Sequence, residues 1–268
     1  HARYEPCALI GTEVLSWRSN ALTGRGQYFV LEGDEYARAF LAYKPKLLVL
    51  TNSDWDHPDT YPTRRSYEAA FKKLVNNLPK EARVVAYSGD KGLGRVLKGI
   101  PQRVYWYDES QVNGKLPITL AGEHNRLNAA AALQAAELLG VARPTSMQAI
   151  AVFQGTRRRF EAKGKRGSTL LFDDYAHHPT EIMATLQAVR GRFPGRAIVV
   201  VFQPHTFSRT KAFFKQFGQS FGLADQVLVL DVYGSARESR GLVTSQQLAQ
   251  EIGSKAVYTP TISDACQF

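Results

Sequence analysis

Several short stretches of the chain crowd together side chains that could do chemistry. Glu32-Gly33-Asp34-Glu35 closes one apolar run, and Asn52-Ser53-Asp54-Trp55-Asp56-His57 closes another. Carboxylates gathered beside an imidazole suit a divalent cation, and hard oxygen ligands favour magnesium bridging nucleotide phosphates. The same acids could instead be solvated turn residues that cap the helices after them. Gly122-Glu123-His124-Asn125-Arg126-Leu127-Asn128 puts Asn125 and Asn128 three residues apart, on one face of a helix and able to meet a base edge. An asparagine N-cap with a spare polar neighbour reads equally well from the spacing. Arg157-Arg158-Arg159-Phe160 offers planar forks that match phosphate oxygens, or a solvated basic loop. His177-His178, His205, Tyr175 and Arg209 form the last group. No HxH or HExxH spacing supports zinc there, so a polar pocket for a small charged molecule is expected, with packing and capping as the alternative for each residue.

No G-x-x-x-x-G-K-[ST] loop is present to cradle phosphates. Gly89-Asp90-Lys91-Gly92-Leu93-Gly94-Arg95 lacks the order, and Gly164-Lys165 is followed by Arg166 where a hydroxyl is required.

Parallel strands deliver such residues at their carboxyl ends. Residues 27–32, 47–52, 83–87 and 102–107 read as strands, and Asn113-Gly114 as a tight turn before a strand over 116–120. Tyr67, Phe71, Leu74, Val75 and Leu78 recur at helical spacing between 63 and 78, and an alanine-rich helix runs over 125–139 to Gly140. A boundary is expected at 142–145, where proline interrupts the pattern. Beyond it, strands at 169–173, 197–202, 226–231 and 256–259 alternate with helices from Pro179, around Phe213–Phe221 and over 245–252. This alternation predicts an α/β protein with a doubly wound parallel sheet.

At 268 residues the chain has room for roughly two domains. Its 44% apolar and 22% charged residues exclude disorder, collagen and a coiled coil. Cys7 and Cys266 exclude a disulfide framework, so a reducing, cytoplasmic setting is expected. The apolar runs are strand-sized, so no membrane span, signal peptide or membrane partner is expected. The charge of +10 alone would admit a basic nucleic-acid-binding module, but such a module wants interleaved basic and aromatic residues on one surface.

Taken in order, Leu31-Glu32-Gly33-Asp34-Glu35-Tyr36, Thr51-Asn52 with Asp56-His57, residues 122–128, Arg158-Arg159-Phe160-Glu161 with residues 173–181, and Phe202-Gln203-Pro204-His205-Thr206-Phe207-Ser208-Arg209-Thr210 resemble the Mur ligases of bacterial cell-wall synthesis, most closely the alanine-adding branch. The resemblance implies an incomplete central ATP-binding domain over 1–143, without its phosphate loop, and a Rossmann-like amino-acid-binding domain over 144–268, truncated at its end. It places the UDP-sugar domain and the glycine loop upstream of His1, so the isolated chain is expected to be inactive.

The implied reaction uses ATP and Mg2+ to activate UDP-N-acetylmuramate as an acyl phosphate, which the amine of L-alanine attacks; nucleic acid has no part in it, and no oligomeric state is implied. By matching position, Glu32 and His57 would serve magnesium, His124, Asn125 and Asn128 the adenine, and Arg159 the phosphates from the second domain on closure. His57 and Arg159 would thus be the catalytic pair. Tyr175, His177 and Arg209 would hold alanine, with His205 lining the pocket. The basic surplus then answers to anionic substrates. Residues 58–71 contain no lysine, as suits the alanine-adding branch. Ala37 and Gly33 depart from the family's usual aspartate and alanine, and a branch that attaches recycled peptides shares several of these motifs.

Overall fold

Short runs of β-branched and aromatic residues separated by amphipathic stretches favour parallel strands joined by helical crossovers, and the computed structural model of the chain follows that plan. It describes residues 2–112, 118, 120–235, 238, 241 and 243–268. The chain divides into two compact units: the first holds the residues up to Trp55 together with Thr63–Asp173, the second Asp56–Pro62 together with Asp174–Phe268.

In the first unit, β1 (Cys7–Val14) pairs antiparallel with β2 (Ser19–Leu22) and parallel with β3 (Phe29–Leu31). A second, parallel sheet consists of β4 (Leu47–Leu50), β5 (Arg83–Tyr87) and β6 (Arg103–Tyr107), in that order. Between β4 and β5 runs α1 (Arg64–Asn76), opened by a reciprocal cap in which the Thr63 hydroxyl accepts from Ser66 N–H and the Ser66 hydroxyl from Thr63 N–H. It buries Tyr67, Phe71, Leu74 and Val75. The short α2 (Lys91–Val96) carries two glycines, and Asp90 fixes its start by accepting from Leu93 N–H and from both the backbone and the hydroxyl of Ser53.

Helix α3 (Glu123–Leu138) buries Ala129, Ala130, Ala131 and Leu133. Ala130 and Ala131 pack with Val85 and Tyr107; side chains this small bring the helix close to the sheet, and a larger residue would overpack the contact. Then come α4 (Arg143–Ala151) and the antiparallel pair β7 (Glu161–Arg166) and β8 (Thr169–Asp173), turned at Gly167 with φ of 58°.

The second unit continues with α5 (Pro179–Arg192), β9 (Val199–Phe202), α6 (Phe207–Ala212), α7 (Phe214–Ser220), β10 (Gln226–Val229), α8 (Ser245–Ile252), β11 (Ala256–Tyr258) and α9 (Ile262–Gln267). Its parallel sheet has the order β11-β10-β9. Phe202 sits 5.6 Å from Phe217 and 5.1 Å from Phe221, ring centre to ring centre, in the core. Phe217 and Phe221 are both fully buried, each stabilising the unit by roughly 1.5–3 kcal/mol.

Several sequence expectations need correction. The strand at 169–173 belongs to no parallel sheet: it forms an antiparallel hairpin with β7, a strand too charged to show apolar alternation. The interval at 142–145 begins α4, with Pro144 in its first turn where the missing N–H costs nothing, and α4 packs on α3 within the first unit. The compact units divide between Asp173 and Asp174, with Asp56–Pro62 assigned to the second. The phenylalanine-rich helix is broken at Phe213 into α6 and α7. Residues 113, 114, 116, 117 and 119, on which the expected turn and strand fell, lie outside those described, as does His1.

Candidate functional site

Four of the residues singled out in the sequence come together in the second unit, around Asp56. Its carboxylate takes both edge donors of Arg209, with Nε at 2.7 Å from Oδ1 and Nη2 at 3.0 Å from Oδ2. The Nε2 atoms of His57 and His177 each lie 3.8 Å from the same Oδ2. Arg209 is only 3% exposed, and its Nη1 donates to His205 Nδ1 at 3.1 Å. A guanidinium is always a donor, so His205 accepts through Nδ1 and is neutral in this arrangement.

Electrostatics follow the geometry. Burial would raise the Asp56 pKa, but His177 and Arg209 outweigh it and hold the group far below the usual carboxylate range. The His205 pKa is lowered, first by burial and then by the charge of Arg209.

Two features of local chain structure build this cluster. Helix α5 starts at Pro179 with His178 as its N-cap, and Glu181 accepts from both His177 N–H and His178 N–H. The buried His178 ring packs edge-on against Phe213 at 4.6 Å, so the adjacent histidines divide the work: His178 caps, and His177 faces Asp56. His177 Nδ1 lies 2.8 Å from the Tyr175 carbonyl, which can only accept, so Nδ1 carries a proton and Nε2 is the atom turned to Asp56. Tyr175 stands edge-on to the His177 ring at 4.8 Å.

The second feature is backbone strain. Thr206 has φ of 66° and ψ of 140°, an outlier for a β-branched residue, and His57 has φ of 53°. Thr206 caps α6 by accepting from Arg209 N–H, so the strained turn orients the guanidinium. Glu238 accepts from Phe207 N–H at 3.0 Å, from Ser208 N–H at 3.1 Å and from the Ser208 hydroxyl. Tyr233 stacks on His205 at 5.6 Å. Sequence reasoning missed Glu238, Tyr233 and the pairing of Asp56 with Arg209. None of them leaves a local signal, because the partners are distant in the chain.

In the first unit the expected residues are held separately. Glu32 follows β3, exposed, with Oε2 accepting from Gly11 N–H at 2.7 Å. A β-carbon at position 11 would stand 3.3 Å from that carboxylate, so Gly11 leaves it room. The Asn125 amide donates to the Ala121 carbonyl at 2.7 Å and closes the start of α3, while Asn128 is exposed one turn along. His124 is half-buried beside them in sequence. Arg157 pairs with Glu13 at 3.1 Å and Arg158 reaches Asp173 at 3.8 Å; Arg159 is exposed and lies between two left-handed residues, Arg158 and Phe160. Phe160 stacks flat on Phe172 at 4.5 Å.

Arg159 thus belongs to the first unit. Backbone bonds from Leu15 to Gly155 and from Arg157 to Glu13 tie its loop to β1. The Glu32 carboxylate is a hard oxygen donor of the kind magnesium takes, whereas the His57 imidazole, in the other unit, departs from ordinary magnesium chemistry. Among the described residues no group of three or more His, Cys, Asp and Glu is placed to hold a metal ion, and no helix is long and apolar enough to cross a membrane.

The fold and these groups define an α/β protein of parallel-sheet units with ligand-competent side chains at strand ends. Residues 13–114 match the family model for the Mur ligase middle domain, and residues 158–268 that for the Mur ligase, glutamate ligase domain. The chain belongs to the Mur ligase family.

A UDP-N-acetylmuramate--L-alanine ligase of Pediococcus pentosaceus is 38% identical to it, over 91% of this chain and 62% of the relative; one of Desulfitobacterium hafniense is 34% identical, over 94% and 62%. The crystal structure of the UDP-N-acetylmuramate-alanine ligase of Thermotoga maritima superposes with a TM-score of 0.75 at 26% identity, covering 99% of this chain and 63% of that one. The chain therefore spans about 60% of the length of the curated relatives it matches.

Proposed function

We propose that the protein is an ATP-dependent ligase of the cytoplasm that joins L-alanine to UDP-N-acetylmuramate in peptidoglycan precursor synthesis. The observation that carries this reading is the carboxylate-holding cluster of Arg209 and His177, in a chain otherwise similar to alanine-adding ligases. The muramoyl carboxylate takes the γ-phosphoryl group of ATP, releasing ADP, to give an acyl phosphate; the alanine amine attacks the acyl carbon, and the tetrahedral intermediate loses a proton to solvent and collapses to amide and inorganic phosphate.

Charge grows on phosphate and acyl oxygens, so donors must converge there. Arg159, exposed and held in a strained loop, is assigned to the phosphates. His124, Asn125 and Asn128 are assigned to the adenine, with Asn128 the amide turned outward. Arg209 is assigned to the carboxylate of alanine, with Tyr175, His177 and His205 around it. Glu32 and His57 are each assigned to magnesium, which when bound neutralises phosphate charge.

Phosphate release by the full-length protein carrying this chain, with ATP, magnesium and UDP-N-acetylmuramate, tests the reading. L-alanine-dependent release supports it, and release with tripeptide alone assigns the protein to the recycling reaction. Absence of both, together with salt-dependent DNA binding lost on substitution of Arg157–Arg159, would mark a nucleic-acid-binding module.

A further inference from the structure

The guanidinium of Arg209 already holds a carboxylate. Asp56 fills its Nε–Nη2 edge with two parallel bonds, the geometry by which arginine recognises a free carboxylate ligand, and Nη1 is turned to His205. The ring nitrogens of His57 and His177 both approach Oδ2 at 3.8 Å, and the His57 backbone N–H donates to Oδ1 at 2.6 Å. Asp56 therefore sits where donors converge on one anion, and it is supplied by the chain itself.

It is also supplied from an unusual place. Asp56–Pro62 belongs to the second unit although the residues on either side belong to the first. Backbone bonds from Thr60 and Tyr61 return to the His57 carbonyl, closing the segment into its own turn.

We propose that Asp56 is an internal occupant of the carboxylate site centred on Arg209, and that an amino-acid carboxylate binds by displacing it. The proposal rests on the reading that this unit takes an amino acid. One ion pair is exchanged for another. Withdrawal of Asp56 without a ligand would leave a nearly buried guanidinium without its counter-charge, whereas exchange for a ligand carboxylate keeps Arg209 paired throughout, so displacement of the Asp56 side chain is coupled to arrival of the ligand. A ligand without a free carboxylate, such as alaninamide, gains nothing from the exchange.

The test uses acetate as the probe, titrated calorimetrically into the unaltered chain and into Asp56→Ala. Vacating the site should tighten acetate binding by about tenfold or more, since the probe then pairs a charge otherwise left uncompensated. Where Asp56→Ala is too unstable to titrate, acetate should raise its unfolding midpoint more than that of the unaltered chain. Equal acetate affinity in both chains, or equal midpoint shifts, overturns the proposal. L-alanine and alaninamide then separate the two readings. Acetate binding to the variant without L-alanine binding keeps the carboxylate site and removes alanine as its ligand. L-alanine binding equally to both chains keeps alanine and removes Asp56 as its competitor.

Discussion

The two units hold their polar residues in opposite ways. In the first, Glu32, Asn128 and Arg159 are exposed, each fixed through its own loop or helix. In the second, Asp56, His177, His205 and Arg209 are drawn inward and satisfy one another. An exposed polar group stays solvated at little cost until a ligand replaces the water, while a buried one must be paired before the ligand arrives. Ligand binding in the first unit should therefore add interactions, and in the second exchange them.

Substitutions can break this contrast. The largest effect is expected from Arg209→Ala, which strands the buried Asp56 charge and should destabilise the second unit by about 3–5 kcal/mol in denaturant unfolding. Acid comes next. Because the His205 pKa is lowered from 6.5, the unfolded chain binds more protons below that value, so stability is full above pH 6.5 and falls as pH drops through the folded pKa. Asp56 has the same sign at lower pH, its contribution present above 3.8 and lost on further acidification. Histidine resonances followed by NMR should show His205 titrating below 6.5. Trp17, Trp55 and Trp106 all lie in the first unit, so their fluorescence should lag the acid response of the second.

A smaller gain is expected from Ala37→Gly, because Ala37 is exposed with φ of 50°, a conformation that disfavours a β-carbon; the first unit should be stabilised by about 1 kcal/mol in thermal unfolding. Smallest of all, Arg159→Ala should leave stability within about 0.5 kcal/mol while abolishing most phosphate release by the full-length protein. A large loss of stability there would erase the distinction between the units.

Much of the scaffold was legible because periodicity and caps agreed. Strands β4, β5 and β6 are apolar or aromatic runs, and α1 announces itself by Tyr67, Phe71, Leu74 and Val75. Helix α2 was hidden by Gly92 and Gly94, and depends on the tie of Asp90 to Ser53, which no local pattern shows. Strand β7 was hidden by its charges and exists through its register with β8. The site divides likewise. His177, His205 and Arg209 stood out by type at strand ends. That Asp56 would pair with Arg209, 153 residues on, is a property of the tertiary fold alone. Adjacent histidines were also indistinguishable until the N-cap claimed His178.

The passage of Asp56–Pro62 into the second unit makes that unit discontinuous in sequence. A cut between Asp173 and Asp174 does not separate the units, since the longer piece keeps a turn that belongs to the other. Expressed alone, residues 174–268 would carry Arg209 with no Asp56, and a synthetic peptide spanning 54–62 would be the missing part, able to restore the pair by complementation in trans.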